Sequence, residues 1–350
     1  MTSTAGQPSF ASVSTSWGRS SAGRSRPLEG AGLASFLAIT GPTGAGKTAL
    51  SLHVARALGG EIISMDSRQI YRGMDIGTAK ATPEQRAEVP HHGIDIADPG
   101  ERYSAGAFGR DARRWIAAIR ARGRVPLLVG GTGFFLKAVT EPLFAQPDLD
   151  GERRAAVESA LAGLPRTELA RWVRALDPQR AGVAIAGGRQ RMTRTVLIAL
   201  LTGRPLSWWH SRRNAEAEPL EGVVCVVAVP REVLDERIGR RVRAMVEAGF
   251  ADEVTALLRA GCSRDDPGLN GVGYREMADC LEGRITVEEA ARRTRVATRR
   301  YARRQATWFR HQLGPGTVRV DGTAPIEAQC ARVADAWRVR AGSSTDCQTP

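Results

Sequence analysis

The sequence predicts an α/β fold: a doubly wound parallel sheet interrupted by a helical insertion and followed by C-terminal basic helices. Three observations predict it. The run Gly41-Pro42-Thr43-Gly44-Ala45-Gly46-Lys47-Thr48 fits the phosphate-binding pattern G-x-x-x-x-G-K-[ST] with no position missing. Short apolar runs alternate with helical periodicity from 33 to about 143. Segment 144–215 then breaks the alternation, being arginine-rich and poor in β-branched runs, before Val223–Val229 returns as a strand. The resulting organisation is a tail over 1–32, a core over 33–143 plus 216–340, a helical insertion over 144–215 and a second tail over 341–350.

The elements follow in order. Residues 1 to about 30 are rich in Ser and Gly, carry Arg19, Arg24 and Arg26, and have no acid before Glu29, which predicts a disordered segment outside the fold. Phe36–Ile39 reads as a buried strand entering the glycine-rich loop, and Ala49–Leu58 as the helix leaving it. The glycines let the backbone curl so that successive N–H groups face an anion. Lys47 adds a point charge, the helix dipole favours negative charge, and the Thr48 hydroxyl can hold Mg²⁺.

Glu61–Met65 is a second buried strand, and Asp66 follows it directly. In an open parallel sheet ligands sit at the carboxyl ends of strands, so Asp66 faces the same crevice as the phosphate loop. It reads as a general base or a magnesium ligand; a loop aspartate capping the next turn is the competing reading. Ser67, Arg68 and Gln69 add hydrogen-bonding groups beside it.

A helix over Ala107–Arg122 precedes the strand Val125–Val129, which runs into Gly130-Gly131-Thr132-Gly133. A nucleotide hydrolase places a metal-binding carboxylate after such a strand, and none is present here. The glycines suggest a loop that lets a bulky ligand approach closely, or else a tight turn. After Val223–Val229 come helices expected over 232–260 and 285–312, the second stopped by Gly314-Pro315-Gly316. Arg237 and Arg241 are four apart and share a helix face, as a diphosphate clamp would require; Arg240 and Arg243 lie nearby. The last long helix interleaves Arg292, Arg293, Arg295, Arg299, Arg300, Arg303, Arg304 and Arg310 with Tyr301, Trp308 and Phe309. That mixture suits RNA backbone and unstacked bases; a solvated helix packing Tyr301 and Trp308 inward is the alternative.

Composition narrows the partners. The formal charge is +13, and the lysines are Lys47, Lys80 and Lys137, the remaining basic residues being arginine. Such a charge favours a polyanion. No stretch approaches the roughly 18 uninterrupted apolar residues of a membrane span, so no membrane partner is expected. Cys225, Cys262, Cys280, Cys330 and Cys347 are scattered without a C-x-x-C pair, which argues for a reducing cytoplasm and against a zinc or disulfide framework. His91-His92 reads as a loop before Gly93-Ile94-Asp95 and lacks further ligands at metal spacing.

Taken together, these segments resemble the tRNA dimethylallyltransferases, also called isopentenyl-diphosphate:tRNA transferases. The resemblance rests on Gly41–Thr48, on Asp66-Ser67-Arg68-Gln69-Ile70-Tyr71 followed by Gly73–Lys80, and on His91-His92 with Asp98-Pro99 and Tyr103-Ser104. It continues through Gly130–Gly133, Thr202–Ser207, Gly271–Glu276 and Thr298–Arg310, covering about 36 to 312. It implies a P-loop NTPase-like fold and, acting as a monomer, transfer of a dimethylallyl group from dimethylallyl diphosphate to N6 of the adenosine 3′ of the anticodon, in tRNAs reading codons that start with U.

By that resemblance Gly41, Pro42, Thr43, Gly44, Ala45, Gly46, Lys47 and Thr48 grip the diphosphate, with Mg²⁺ on Thr48. Asp66 is the base, assisted by Lys47, Thr48 and an arginine from Arg237 and Arg241. Asp66, Ser67, Arg68, Gln69, Thr132, Arg154, Gln190, Arg191, Met192, Thr193 and Arg194 contact tRNA. The chain departs from the family at Gly187-Gly188-Arg189, where Asn-Asp is usual, and at Leu197, where glutamate is favoured. Three other activities fit parts of the pattern: prenylation of a free adenylate, a small-molecule kinase, and a non-catalytic RNA-binding protein. The insertion, the missing strand-end carboxylate, and the intact Lys47, Thr48 and Asp66 weigh against them in turn.

Overall fold

The computed structural model describes residues 34–141, 149–211 and 218–342. The tail expected over 1–32 lies outside the described residues, as do both boundaries of the insertion and most of the tail expected from 341.

The first strand, β1 (Phe36–Thr40), is buried at all five positions, as expected of a parallel strand covered on both faces. The phosphate loop follows, then α1 (Lys47–Leu58), β2 (Gly60–Ser64), α2 (Pro83–Glu88), β3 (His91–His92), α3 (Ala105–Ala121), β4 (Val125–Gly130) and α4 (Gly133–Thr140). The insertion contributes α5 (Gly151–Ala162), α6 (Arg166–Leu176), α7 (Ala181–Ala186), α8 (Arg189–Thr202) and α9 (Leu206–Ser211). The chain returns through β5 (Gly222–Ala228), α10 (Arg231–Glu247), α11 (Phe250–Arg259), α12 (Tyr274–Leu281), α13 (Val287–Gln312), β6 (Val318–Asp321) and α14 (Ile326–Ala341).

All six strands are parallel, in the order β3-β2-β4-β1-β5-β6, so the phosphate loop leaves the middle of the sheet. Alternate β1 residues serve opposite faces. Leu37 and Ile39 join Leu127, Val223 and Cys225 beneath α1 and α14, where Leu50, Val54, Val333 and Trp337 cover them. Phe36 and Ala38 join Ile63, Met65 and Leu128 against Phe108, Ile116, Phe135 and Leu136 of α3 and α4. The insertion helices close over a core of their own, with Leu169, Val173, Ala184, Met192 and Val196 buried together.

Several elements differ from expectation. The helix expected over 232–260 is two helices, because Gly249 adopts φ 90° and turns the chain before Phe250. The helix expected from Ala49 begins at Lys47, which gives the phosphate loop the first turn as part of its wall. His91-His92 is not a loop but a short strand beside β2, where the His92 imidazole meets Glu61 at 2.8 Å. The edge strand β6 and the helix α14 that covers it went unpredicted, since Val318 and Val320 alone carry the apolar signal of that strand. No helix among the described residues is long and apolar enough to cross a membrane.

A third cluster braces the segment after β2. Met74, Phe250, Tyr274 and Met277 pack together, and the Glu253 carboxylate accepts the N–H groups of Asp75, Ile76 and Gly77 at 2.8, 2.5 and 3.1 Å. Three consecutive N–H groups converging on one anion form a nest, and this one pins the 74–79 loop beside the crevice. Lys80 closes the other side: its buried ammonium meets Asp95 at 2.6 Å and donates to the Tyr71 carbonyl at 2.8 Å.

Candidate functional site

A cavity opens at the carboxyl ends of β1, β2 and β4. It is walled by Thr43, Lys47, Thr48, Asp66, Arg241 and Gln305, among others. The cradle is shaped by backbone that only glycine adopts with ease: Gly41, Gly44 and Gly46 have φ of 144°, 81° and 95°. Gly41 also has no room for a side chain, since a Cβ there would lie 2.6 Å from the Val227 carbonyl of β5.

Two cations face the cavity. The Lys47 ammonium donates to the Pro42 carbonyl at 2.8 Å, and burial lowers its pKa to about 8. Asp66 opposes that shift and Arg241 adds to it. The Arg241 guanidinium donates to the Thr43 hydroxyl at 3.3 Å and to the Thr78 carbonyl at 3.0 Å; burial pushes its pKa down, and Asp66 pulls it back up. Arg237 shares the helix face as expected but is spent on structure, donating to the Ala45 and Gly322 carbonyls at 3.3 and 2.9 Å. Of the pair, Arg241 lines the cavity. Desolvated positive charge above a helix N-terminus suits a multiply charged anion.

Asp66 stands opposite the cradle, half-buried. One oxygen accepts the Arg68 N–H at 2.8 Å, so the turn-capping reading also holds, and this bond fixes the carboxylate without closing it to a ligand. Its neighbours divide by role. The Ser67 N–H donates to the Thr132 hydroxyl at 3.1 Å, joining the loops after β2 and β4. Gln69 lines the cavity while donating to the Ala79 carbonyl at 3.2 Å and accepting from Ser64 at 2.8 Å. The Arg68 guanidinium turns away to the Pro267 and Gly268 carbonyls.

The loop Gly130–Gly133 lines the cavity through Gly130 and Gly131 and is also approached closely by the protein's own atoms. A Cβ would lie 1.9 Å from the Met65 carbonyl oxygen at Gly130, 2.3 Å from the Gln305 amide at Gly131 and 2.3 Å from the Trp308 ring at Gly133. The aromatics of α13 are explained by the same contacts. Tyr301, Gln305 and Trp308 are spaced i, i+4, i+7 and form one stripe seated on this loop. The Tyr301 phenol is pushed up to about 12 by burial, with Asp66 adding to the shift. Inward packing therefore accounts for Tyr301 and Trp308, while Arg300, Arg303 and Arg304 of the same helix are exposed, Arg304 lying 5.7 Å from the Tyr301 ring centroid. Sequence reasoning passed over Gln305, although a buried polar residue inside an aromatic stripe at helical spacing was a readable signal.

The remaining expected residues sit on the insertion, away from the cavity walls. Arg154 on α5 pairs with Glu158 at 3.0 Å, and Glu158 also holds Arg102 at 2.8 Å. On α8, Gln190, Arg191 and Arg194 are exposed and Thr193 is half-buried, whereas the Met192 side chain is fully buried in the bundle core and offers no surface to a ligand.

The chain matches the IPP transferase family over residues 69–312 and the isopentenyl transferase family over residues 34–90. The tRNA dimethylallyltransferase of Halorhodospira halophila is 45% identical over 299 residues, covering 85% of this chain and 96% of the relative. That of Syntrophobacter fumaroxidans is 44% identical over 274 residues, covering 78% and 80%. The crystal structure of the full-length tRNA isopentenylpyrophosphate transferase from Bacillus halodurans superimposes with a TM-score of 0.62 at 36% identity, covering 88% of this chain and 98% of that one. A eukaryotic dimethylallyltransferase acting on tRNA superimposes with a TM-score of 0.70 at 25% identity, covering 88% and 76%. With a phosphate cradle, a facing carboxylate and relatives of this length and identity, the chain belongs to the IPP transferase family.

Proposed function

We propose that this protein transfers a dimethylallyl group from dimethylallyl diphosphate to N6 of the adenosine 3′-adjacent to the anticodon, in tRNAs reading codons that start with U, and releases diphosphate. One observation carries the reading: Asp66 and the cradle of Lys47, Thr48 and Arg241 wall the same cavity, so a proton acceptor faces a leaving-group site. The names of the relatives support the same reaction class.

The chemistry needs help at both ends. An exocyclic aromatic amine is a weak nucleophile because its lone pair is delocalised into the ring. Asp66 accepts its hydrogen bond, orients it and takes its proton as the N–C bond forms. At the donor, negative charge builds on the diphosphate as the allylic C–O bond breaks. The loop N–H groups, Lys47 and Arg241 stabilise that charge in place. The cradle also fits a hard cation: the Thr48 hydroxyl lines the cavity, and Mg²⁺ typically binds through few protein oxygens plus substrate phosphates. When bound, Mg²⁺ supplies further charge neutralisation on the diphosphate.

The adenine leaves its stack to reach Asp66, at a cost of a few kcal/mol that RNA contacts offset. Arg154, Gln190, Arg191 and Arg194 of the insertion and the arginines of α13 are suited to those contacts, with Ser67 and Thr132 at the cleft. The scattered free cysteines among the described residues suit the cytoplasm.

The test is direct. Purified protein is incubated with labelled dimethylallyl diphosphate and either tRNA or AMP. Label in tRNA alone is expected; label in AMP alone, or transfer of phosphate from ATP, overturns the reading.

A further inference from the structure

We propose that Gln305 is a positioning residue that sets the spacing between the donor and acceptor sides of the cleft. The inference rests on the reaction proposed above. Gln305 is buried on α13, and its side-chain amide bridges two loops. Its Oε1 accepts the Thr43 N–H at 2.9 Å, and its Nε2 donates to the Gly131 carbonyl at 2.8 Å. Thr43 lies in the diphosphate cradle after β1. Gly131 lies in the loop after β4 that also carries Thr132, the partner of Ser67 beside Asp66. Since β1 and β4 are neighbours in the sheet, the loops leave adjacent strand ends. A tie from the Thr40 hydroxyl to the Gly130 carbonyl, 2.9 Å, holds them at the base. Gln305 holds them further out, where the substrates meet.

The bridge demands this residue type. One side chain must offer an acceptor to Thr43 and a donor to Gly131, and the glutamine amide does so from two separate terminal atoms. Leucine would leave a buried N–H and a buried carbonyl unpaired; glutamate would set a carboxylate against the Gly131 carbonyl. Gly131 is shaped for the contact, because a Cβ there would lie 2.3 Å from Nε2. Tyr301 and Trp308 seat the same stripe on either side, so the amide is held rather than free to swing. Both polar ends of Gln305 are engaged with the backbone. It therefore acts through the loops and not on a reacting atom.

Positioning of this kind governs turnover more than affinity, because a displacement of about 1 Å between reacting groups can cost on the order of 10²-fold in rate. Loss of the bridge leaves the cradle and the basic surfaces intact but lets the diphosphate and the amine drift apart.

The experiment compares full-length wild type with Gln305→Leu, Gln305→Glu and Gly131→Ala, the last displacing the amide from the opposite side. Four quantities are measured: prenyl-transfer kcat and the KM for each substrate, calorimetric binding of inorganic diphosphate, filter binding of tRNA, and the thermal midpoint. Expected is a kcat loss of about 30-fold or more in all three variants. For Gln305→Leu and Gly131→Ala, diphosphate and tRNA affinities should stay within about 3-fold, with the midpoint shifted by only a few degrees. Unchanged kcat in Gln305→Leu overturns the proposal. So does a kcat loss that merely follows lost tRNA binding and a collapsed midpoint, which marks a packing role. If wild type labels AMP instead of tRNA, the acceptor reading fails, and the same kcat comparison run on AMP still decides Gln305.

Discussion

The Arg241 guanidinium donates to the Thr43 hydroxyl at 3.3 Å, which places one planar cation against the phosphate loop while its other arm holds the Thr78 carbonyl at 3.0 Å. Arg237, one helical turn earlier, binds Ala45 and Gly322 carbonyls instead. The two arginines look equivalent in sequence and are not equivalent in space. Arg241→Ala is expected to lower turnover by about 10²-fold, the range for removing one preorganised donor from a developing charge. Arg241→Lys should restore little, because an ammonium cannot span both partners. Arg237→Ala should act mainly on the loop's anchoring, lowering the unfolding midpoint with a smaller effect on turnover. Steady-state kinetics and thermal melts on the three variants separate the roles; equal loss of turnover in both alanine variants contradicts them.

Asp66 combines a structural bond with an open face. Asp66→Asn keeps an oxygen for the Arg68 N–H, which lies 2.8 Å from the carboxylate, so the turn should survive. It cannot accept a proton. Turnover should fall by about 10²–10⁴-fold, the usual range for losing a general base, with tRNA affinity within a few-fold of wild type. Single-turnover transfer and filter binding check this; normal turnover in Asp66→Asn removes the residue from its assigned role.

Lys47 makes donor binding pH-dependent. Burial lowers its pKa to about 8, so the ammonium of the free protein is lost as pH rises through that value. An anion binds the charged form, so diphosphate affinity should weaken above pH 8, approaching tenfold per pH unit until the pKa of the complex is reached. Stability runs the other way. The unfolded chain holds the proton up to about pH 10.4, so between about 8 and that value it binds more protons than the folded chain, and this residue's contribution to stability rises with pH. Lys47→Arg removes the titration while keeping the charge. The calorimetric comparison of wild type with that variant between pH 7 and 9 cancels the ligand's own ionisation, and parallel curves rule the assignment out.

The legible and illegible parts of this chain differ in how far apart their partners lie. The phosphate loop, its strand and its helix are local, and a parallel strand buried on both faces writes itself as an unbroken apolar run, as Phe36–Ile39 does. Asp66 was legible because strand ends converge on one rim. What sequence could not supply was long-range pairing. The approach of glycines to a bulky ligand and the approach of glycines to Trp308 and Gln305 leave the same letters, Gly130-Gly131-Thr132-Gly133. The arginine pair of α10 was ambiguous for the same reason, since Gly322 enters from the far side of the chain. Gly249 broke a helix that periodicity alone carried through, because a single left-handed residue outweighs propensity on both sides.

Phe134 offers a test of RNA contact at the cleft. It is 58% exposed and lies beside the Trp308 ring, with centroids 6.1 Å apart, at the first turn after Thr132. On the reaction proposed, an exposed aromatic one turn from the cavity-lining loop Gly130-Gly131 can stack on an unstacked base, worth about 1–3 kcal/mol per base. Phe134→Ala should weaken tRNA binding accordingly and leave inorganic diphosphate binding unchanged, while Phe134→Tyr should restore tRNA affinity. Filter binding with tRNA and calorimetry with diphosphate measure the split, and a tRNA affinity indifferent to Phe134→Ala eliminates the contact.

Glu253 acts on the site from a distance. Its carboxylate takes the N–H groups of Asp75, Ile76 and Gly77 and the Tyr274 hydroxyl, the last at 2.7 Å. Burial, and then Glu253 itself, holds the Tyr274 phenol well above its ordinary range, so at working pH it remains a donor to the carboxylate. The nest fixes the loop that presents the Thr78 carbonyl to Arg241. Glu253→Ala leaves these donors without their anion and should cost about 2–4 kcal/mol of stability, since bonds to a charged group contribute more than neutral ones. Glu253→Gln retains one acceptor oxygen and should cost about half as much. Because the loop is the rear support of Arg241, both variants should also raise the KM for the prenyl donor before they alter tRNA affinity. Urea unfolding gives the first quantity and initial-rate kinetics the second. A donor KM unchanged in a folded Glu253→Ala protein would show that Arg241 keeps its place without the Thr78 carbonyl, and that the cradle, not the braced loop, sets its position.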